Sequence, residues 1–179
     1  RFVPLFEGIM GDDWHRLPTK VRALHEVAGS RVWHGAASVT RNPSPAARLV
    51  AWLFGFPPAT DETPVTVRMR REGNEEIWTR DFGGHRFLSR LSGDTATPGR
   101  MWERFGPFRF AIDFRAGPEG LEYPVSAGRI MGIPIPTAFL PRSDTREAVD
   151  ENGRATFDVA LSMPLIGPIV RYRGWLSEG

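Results

Sequence analysis

Histidine is the side chain best suited to chemistry near neutral pH, and this chain has four: His15, His25, His34 and His85. No two stand at the HxH or HxxxH spacing that puts a pair on one face of a strand or helix, so no metal site is expected. Cysteine is absent, which removes thiolate ligands, cysteine nucleophiles and disulfides. Ser89, His85 and Asp81 have the residue types of a hydrolytic triad, but Ser89 lacks the Gly-x-Ser-x-Gly elbow that exposes a nucleophile. The carboxylates Asp113, Glu122, Asp144 and Asp158 have the type for acid/base work, yet arginines such as Arg80, Arg104 and Arg142 are at hand for them to neutralise. Gly83-Gly84 lacks the strand-glycine-helix context of a phosphate loop and reads as a hairpin turn. The sequence thus names no catalytic residue and no cofactor, and an enzyme is the third choice of function.

Aromatic and arginine side chains carry more information. Trp78, Phe82, Phe87, Trp102, Phe105, Phe108, Phe110 and Phe114 fall on segments that alternate apolar and polar residues, the mark of a half-buried strand. A sheet with such a face can curl into a barrel, and an aromatic interior not filled by side chains becomes a pocket for an apolar ligand. Arginine adds a planar fork for a carboxylate or phosphate. The expected ligand-binding set is Trp78, Arg80, Phe82, Arg86, Phe87, Arg104, Phe110, Arg142, Arg171 and Tyr172. Its ligand would be a hydrophobic or amphipathic anionic small molecule, lipid-like in character.

The elements that must position these residues follow from the pattern. Leu5-Phe6 with Ile9-Met10 before Gly11, and Leu17, Val21 and Leu24 after a Pro18 start, predict two short helices. Arg31 to Arg41 alternates as a first strand. Strands are then expected at 65–71, 76–82 and 85–91, joined by turns at Gly73-Asn74 and Gly83-Gly84. Further strands read at 100–104, 108–115, 121–125, 155–162 and 169–176. The fold class is mainly β, a curved antiparallel meander or barrel-like sheet, calycin-like at coarse level, with short N-terminal helices and one inserted apolar helix.

That inserted helix, Ala46 to Phe54, carries a single charge, Arg48, and is stopped by Gly55. So apolar a helix is buried, or covers a cavity, or touches a partner or membrane. The segment Met131 to Leu140 poses the same choice: as a buried corner it plugs one end of a barrel, and as an exposed loop it marks a contact surface. The alternative reading of the chain is accordingly a docking domain for a dehydrogenase-like partner or a membrane surface, using Trp52, Phe54, Ile133, Ile135 and Phe139.

Bulk properties narrow the field. The 179 residues suit one domain, 1–179, able to bury its own core. Positive charge is almost wholly arginine, but 23 Lys+Arg against 21 Asp+Glu predicts no strong attraction to nucleic acid. No apolar run is long enough for a transmembrane helix and no signal peptide is evident, so a cytoplasmic location is expected. A start at Arg1 without Met suggests a segment of something longer.

Several motifs carry a family resemblance. Leu53-Phe54-Gly55-Phe56-Pro57, Trp78-x-Arg80-x-Phe82-Gly83-Gly84-x-Arg86-Phe87-x-Ser89, Glu103-Arg104-Phe105-Gly106-Pro107, Gly132-x-Pro134-x-Pro136 and Val170-Arg171-Tyr172-Arg173-Gly174-Trp175-Leu176 resemble a bacterial family catalogued as domain of unknown function 4166. The resemblance also takes in Leu17-Pro18 with Val21-Arg22-x-Leu24-His25 and spans nearly the whole chain. Members occur alone or fused behind saccharopine-dehydrogenase-like or other Rossmann domains. The resemblance therefore implies a possible Rossmann-type partner, and it supplies no catalytic residues.

Overall fold

The computed structural model describes residues 1–179. Two helices, α1 (Leu5–Met10) and α2 (Thr19–His25), flank a 3-10 segment at Gly11–Arg16. Next come β1 (Ser30–Arg41), helix α3 (Pro45–Phe54), β2 (Thr60–Glu72), β3 (Glu75–Phe82), β4 (His85–Gly93), β5 (Arg100–Phe105) and β6 (Phe108–Asp113). The rest is β7 (Arg115–Gly117), β8 (Gly120–Glu122), β9 (Val125–Ile130), β10 (Ile133–Pro134), a 3-10 segment at Thr137–Phe139, β11 (Arg142–Val149), β12 (Ala155–Met163) and β13 (Gly167–Glu178). All 13 strands join one antiparallel sheet in the order β10-β9-β6-β5-β4-β3-β2-β1-β13-β12-β11-β8-β7. The sheet is not closed, because its edge strands β10 and β7 do not pair with each other.

Period-two alternation sorts the side chains onto an inner and an outer face. Val65, Val67 and Met69 of β2 are buried, whereas Arg68 and Arg70 between and beyond them are exposed. The same parity puts Trp78, Arg80 and Phe82 of β3 on the inner face. The inner face joins the N-terminal helices in one core, where Phe6, Trp14, Val21 and Leu24 pack against residues such as Trp78 and Leu91. These helices cover one end of the sheet.

The other end carries α3. Its Ser44 Oγ accepts from the Ala47 backbone N–H at 3.3 Å, Pro45 opens its first turn, and Gly55 at φ 71° stops it. Ala47 and Ala51 are its buried positions, and they meet Ile169, Met163 and Ile166 of the β12–β13 hairpin. No helix in the chain is long and apolar enough to cross a membrane.

Two short connections bring the halves of the sheet together. Residues 108–115 read as one strand, but the structure breaks them at Phe114, whose ring packs 5.0 Å from Phe6 and 5.1 Å from Tyr123. Asp113 therefore ends β6, third from one edge, while Arg115 starts β7 at the opposite edge. Two peptide steps span at most about 7.6 Å, so the chain itself holds those regions side by side. Residues 121–125 also divide, and Tyr123-Pro124 make the return crossing from β8 to β9. Proline lacks the N–H that a continuing strand would donate.

Glu76 is a fully buried carboxylate on the inner face of β3. One oxygen accepts from Trp78 Nε1 at 2.9 Å, and the nearest cation, Arg71, stands 3.7 Å from the other. Burial raises the Glu76 pKa, with the Trp78 hydrogen bond and the charges of His25 and Arg71 opposing it. A raised folded-state pKa contributes stability that is complete below the unfolded value and is lost as pH climbs through the folded value. Glu76→Gln keeps an acceptor for Trp78 and removes that loss. Urea midpoints of variant and wild type are expected to diverge in the variant's favour as pH rises from acid to neutral. A constant difference across that range would show that Glu76 ionisation does not limit stability.

Candidate functional site

A cavity lies against the inner face between the N-terminal helices and α3. Thirty residues line it, drawn mainly from β2 to β6 and from β11 to β13, and 23 of them are hydrophobic. Its free volume is about 150 Å³, roughly the room that accepts a benzene-sized guest. Pockets for drug-sized ligands run from about 300 Å³ upward. A long-chain lipid would therefore need the cavity to widen.

The polar groups in the wall are few and adjoin one another. Arg80 Nη1 donates to Ser89 Oγ at 2.8 Å and Nη2 donates to Glu103 Oε1 at 3.2 Å. Its guanidinium lies over Trp78 and Phe87, 4.9 and 5.4 Å from their centroids. Guanidinium has five N–H donors, so these two bonds leave three of them unused on a residue that lines the cavity. Tyr172 shares this region, its ring edge-on to Phe82 at 5.2 Å. Burial pushes the Tyr172 hydroxyl up to about 12, with Arg80 lowering it and Glu103 raising it. At neutral pH it is a hydrogen-bond donor.

A second polar group sits where α2, β11 and the β8–β9 crossing meet. His25 Nε2 is 2.5 Å from Glu147 Oε2, and the Tyr123 hydroxyl donates to Glu147 Oε1 at 2.7 Å and lies 3.2 Å from His25 Nε2. Burial, then the Glu147 charge, holds the Tyr123 hydroxyl well above its ordinary range. Glu147 and Tyr123 line the cavity, whereas His25 is fully buried behind them and stacks on Phe6 at 3.9 Å. The imidazole has no open path to a guest.

Of the residues grouped from sequence as ligand-facing, Trp78, Arg80, Phe82, Phe87, Phe110 and Tyr172 line the cavity. Arg86, Arg104, Arg142 and Arg171 do not, and parity is the reason. Arg86 and Arg104 precede or follow the inward Phe87 and Glu103, so they face outward, and Arg86 is bound by Asp81 at 2.7 Å. Arg171 is likewise out of phase with Tyr172 and grips Asp158 with bonds of 3.0 and 2.7 Å. Arg142 and Arg171 border a separate surface hollow beside Arg41 and Asp144. The other partners foreseen from sequence are also elsewhere: Arg100 holds Asp113 and Arg146 holds Glu122.

Among the residues assigned to docking, Phe54 lines the cavity and stacks on Phe108 at 4.4 Å, Ile135 is half-buried, and Trp52, Ile133 and Phe139 are exposed. The Met131–Leu140 segment is therefore largely a surface feature and no plug, since only Ile135 and Leu140 are withdrawn from solvent. Ser89, His85 and Asp81 make no triad. Ser89 is bound to Arg80, His85 Nε2 to the Gly55 carbonyl, and Asp81 to Arg86 and the Gly84 N–H. No three His, Asp or Glu side chains gather as a set of metal ligands.

Glu103, Tyr123, Glu147 and His25 are the site residues that sequence reasoning missed. Glu103 and His25 carried a usable signal. Glu103 shares its strand face with Met101 and Phe105, and His25 follows Leu24 on the helix face that Val21 starts, so each is a titratable group on an apolar face. No curated protein and no solved structure matches the chain. The chain does match a family model over residues 17–176, and it belongs to the family described as Domain of unknown function (DUF4166).

Proposed function

We propose that the chain binds a small amphipathic molecule in this cavity, with its apolar body among the aromatic side chains and its polar head at Arg80 and Tyr172. On this reading the open sheet acts as a calycin-like barrel, its two sides held by the β6–β7 and β8–β9 crossings, and α3 is the inserted apolar helix over its mouth. One observation carries the reading: a mostly hydrophobic cavity whose wall holds an arginine with unused donors next to a tyrosine hydroxyl. Such a wall orients one end of a guest and is indifferent to the other.

Magnitudes set the guest's size and charge. About 150 Å³ suits a short chain or a single ring, and longer acyl chains require α3 to lift. Glu103 already shares the Arg80 charge, so a carboxylate head competes with it. Glu103→Gln is therefore expected to tighten binding of octanoate about tenfold, while 1-octanol, which does not compete, changes little. Arg80→Met alone would leave Glu103 uncompensated, so the informative partner is Arg80→Met with Glu103→Gln, which removes the pair together. It is expected to abolish the gain in octanoate binding that Glu103→Gln alone confers. Titration calorimetry reads both effects, and a wild-type protein that takes up neither octanoate nor 1-octanol overturns the proposal.

A further inference from the structure

The end of the molecule that carries α3 displays apolar tips in water. Leu165 is 96% exposed, Met131 81% and Trp52 74%, with Leu49, Leu53, Ile133 and Phe139 also exposed. Topology gathers them. The β12–β13 hairpin against which α3 packs has Leu165 in its turn, and Phe108, on which Phe54 stacks, pairs with Ile130 next to Met131.

Met131 at φ 49° and Leu165 at φ 69° are the two non-glycine residues with positive φ. That conformation is strained for large side chains, and glycine or asparagine would occupy both turns more easily. Neither side chain is withdrawn from solvent, so burial within the chain does not offset the strain. What would offset it is a surface outside the chain.

Charge identifies that surface. Arg104, Arg109 and Arg129 are direct register partners across β5, β6 and β9, and all three are exposed on the outer face, Arg109 lying over the Trp102 ring at 4.4 Å and Arg129 donating to the Gly132 carbonyl at 3.2 Å. Like charges directly opposite weaken a sheet. None of the three is in an ion pair, whereas Arg70, Arg86, Arg90, Arg100, Arg146, Arg154 and Arg171 each hold a carboxylate. Arg41, Arg48 and Arg142 at the same end are also without ion pairs; the carboxylates there are Asp61, Glu62, Asp144 and the Arg86-bound Asp81.

We propose that this end docks on an anionic lipid bilayer, with Trp52, Met131 and Leu165 entering the boundary between headgroups and acyl chains and the arginines meeting anionic headgroups. Apolar tips on a helix and two hairpins form separate prongs instead of one flat patch. A fluid bilayer receives prongs at any spacing, and its negative surface matches the arginine row. Docking on the bilayer does not depend on the cavity being occupied.

The test is co-sedimentation of the purified chain with vesicles of phosphatidylcholine alone and of phosphatidylcholine with one third phosphatidylglycerol. Binding to the anionic vesicles is expected, weakened by salt, with little on the neutral ones. Each arginine near an anionic surface contributes roughly five-fold in affinity, so Arg104→Gln/Arg109→Gln/Arg129→Gln should weaken binding about a hundredfold. Met131→Gly/Leu165→Gly should weaken it at least about tenfold while leaving the thermal midpoint unchanged or higher, because glycine relieves both turns. A blue shift of tryptophan emission on binding, absent in Trp52→Phe, reads insertion in the wild-type fold. Failure of the wild type to bind anionic vesicles overturns the proposal, as does undiminished binding by both multiple variants. Concentration-dependent self-association blocked by the glycine variant, without vesicle binding, would assign the tips to a second copy instead.

Discussion

Replacing Gly174 by alanine is expected to abolish folding. A Cβ at 174 would stand 1.9 Å from the Ala36 carbonyl oxygen and 2.8 Å from the Ala37 Cα, distances that packed carbon atoms do not reach. The obstruction is backbone, so no rotamer change relieves it. Its counterpart across the ribbon is Gly35, where a Cβ would fall 1.7 Å from the Trp175 carbonyl oxygen. Gly35 pairs with Leu176 and Gly174 pairs with Ala37, so β1 and β13 press together over a short diagonal in mid-sheet. Side chains have been given up there so that the sheet can bend, the usual role of glycine inside a strand.

The cost of Gly174→Ala is set at about 4 kcal/mol or more, because β1–β13 pairing must yield along with the bend. That is comparable with the whole stability of many domains. Loss of soluble, cooperatively unfolding protein is the expected result, read by a urea transition. Gly29→Ala is the control: nothing stands within 4 Å of its Cβ position and its φ is ordinary. Its midpoint should match wild type, and a Gly174→Ala protein that also matched would show that the ribbon relaxes at little cost.

The bend is where sequence reading reaches its limit. Alternation and the Gly73-Asn74 and Gly83-Gly84 turns suffice to read the β2–β3–β4 meander, because each strand sets large apolar side chains on its inner face, Val65, Val67 and Met69, then Trp78 and Phe82, then Phe87 and Leu91, and each turn has its glycine. Strand β11 has no such face: its inward residues include Ser143, Thr145 and Glu147, so Arg142–Val149 carries no hydrophobic period to detect. The break at Phe114 was equally hidden, since an aromatic residue continues the alternation whether the strand goes on or turns away. At the cavity, aromatic positions were more legible than charged ones. Arginine type says nothing about face, and only counting parity from Phe87, Glu103 and Tyr172 separates Arg80 from Arg86, Arg104 and Arg171. Counter-ions were missed for a related reason: Glu103 meets Arg80 across β3, β4 and β5, a distance of 23 residues in the chain.

His25→Leu is expected to be the second most damaging substitution, and its pairing with Glu147→Leu decides what the buried cluster is for. Leucine at 25 retains an apolar surface against Phe6 and Trp78 but leaves Glu147, nearly fully buried, with Tyr123 as its remaining partner. Breaking a buried pair by deleting one member costs about 3–5 kcal/mol, mostly because a charge is left without compensation. Removing both members costs far less, and the Tyr123 hydroxyl then faces the cavity, where water can reach it. The double variant should therefore be more stable than His25→Leu by roughly 2 kcal/mol, and a double-mutant cycle in urea that includes Glu147→Leu alone should show the two positions strongly coupled. The cluster ties α2 to β11 and to the β8–β9 crossing that draws the sheet's two sides together. If that bracing is its purpose, the double variant should still take up 1-octanol with wild-type affinity, because Arg80 and Tyr172 are untouched. Restored stability with lost uptake would instead place Glu147 among the groups that hold the guest, and an absent coupling would remove the His25–Glu147 pair from the account of stability altogether.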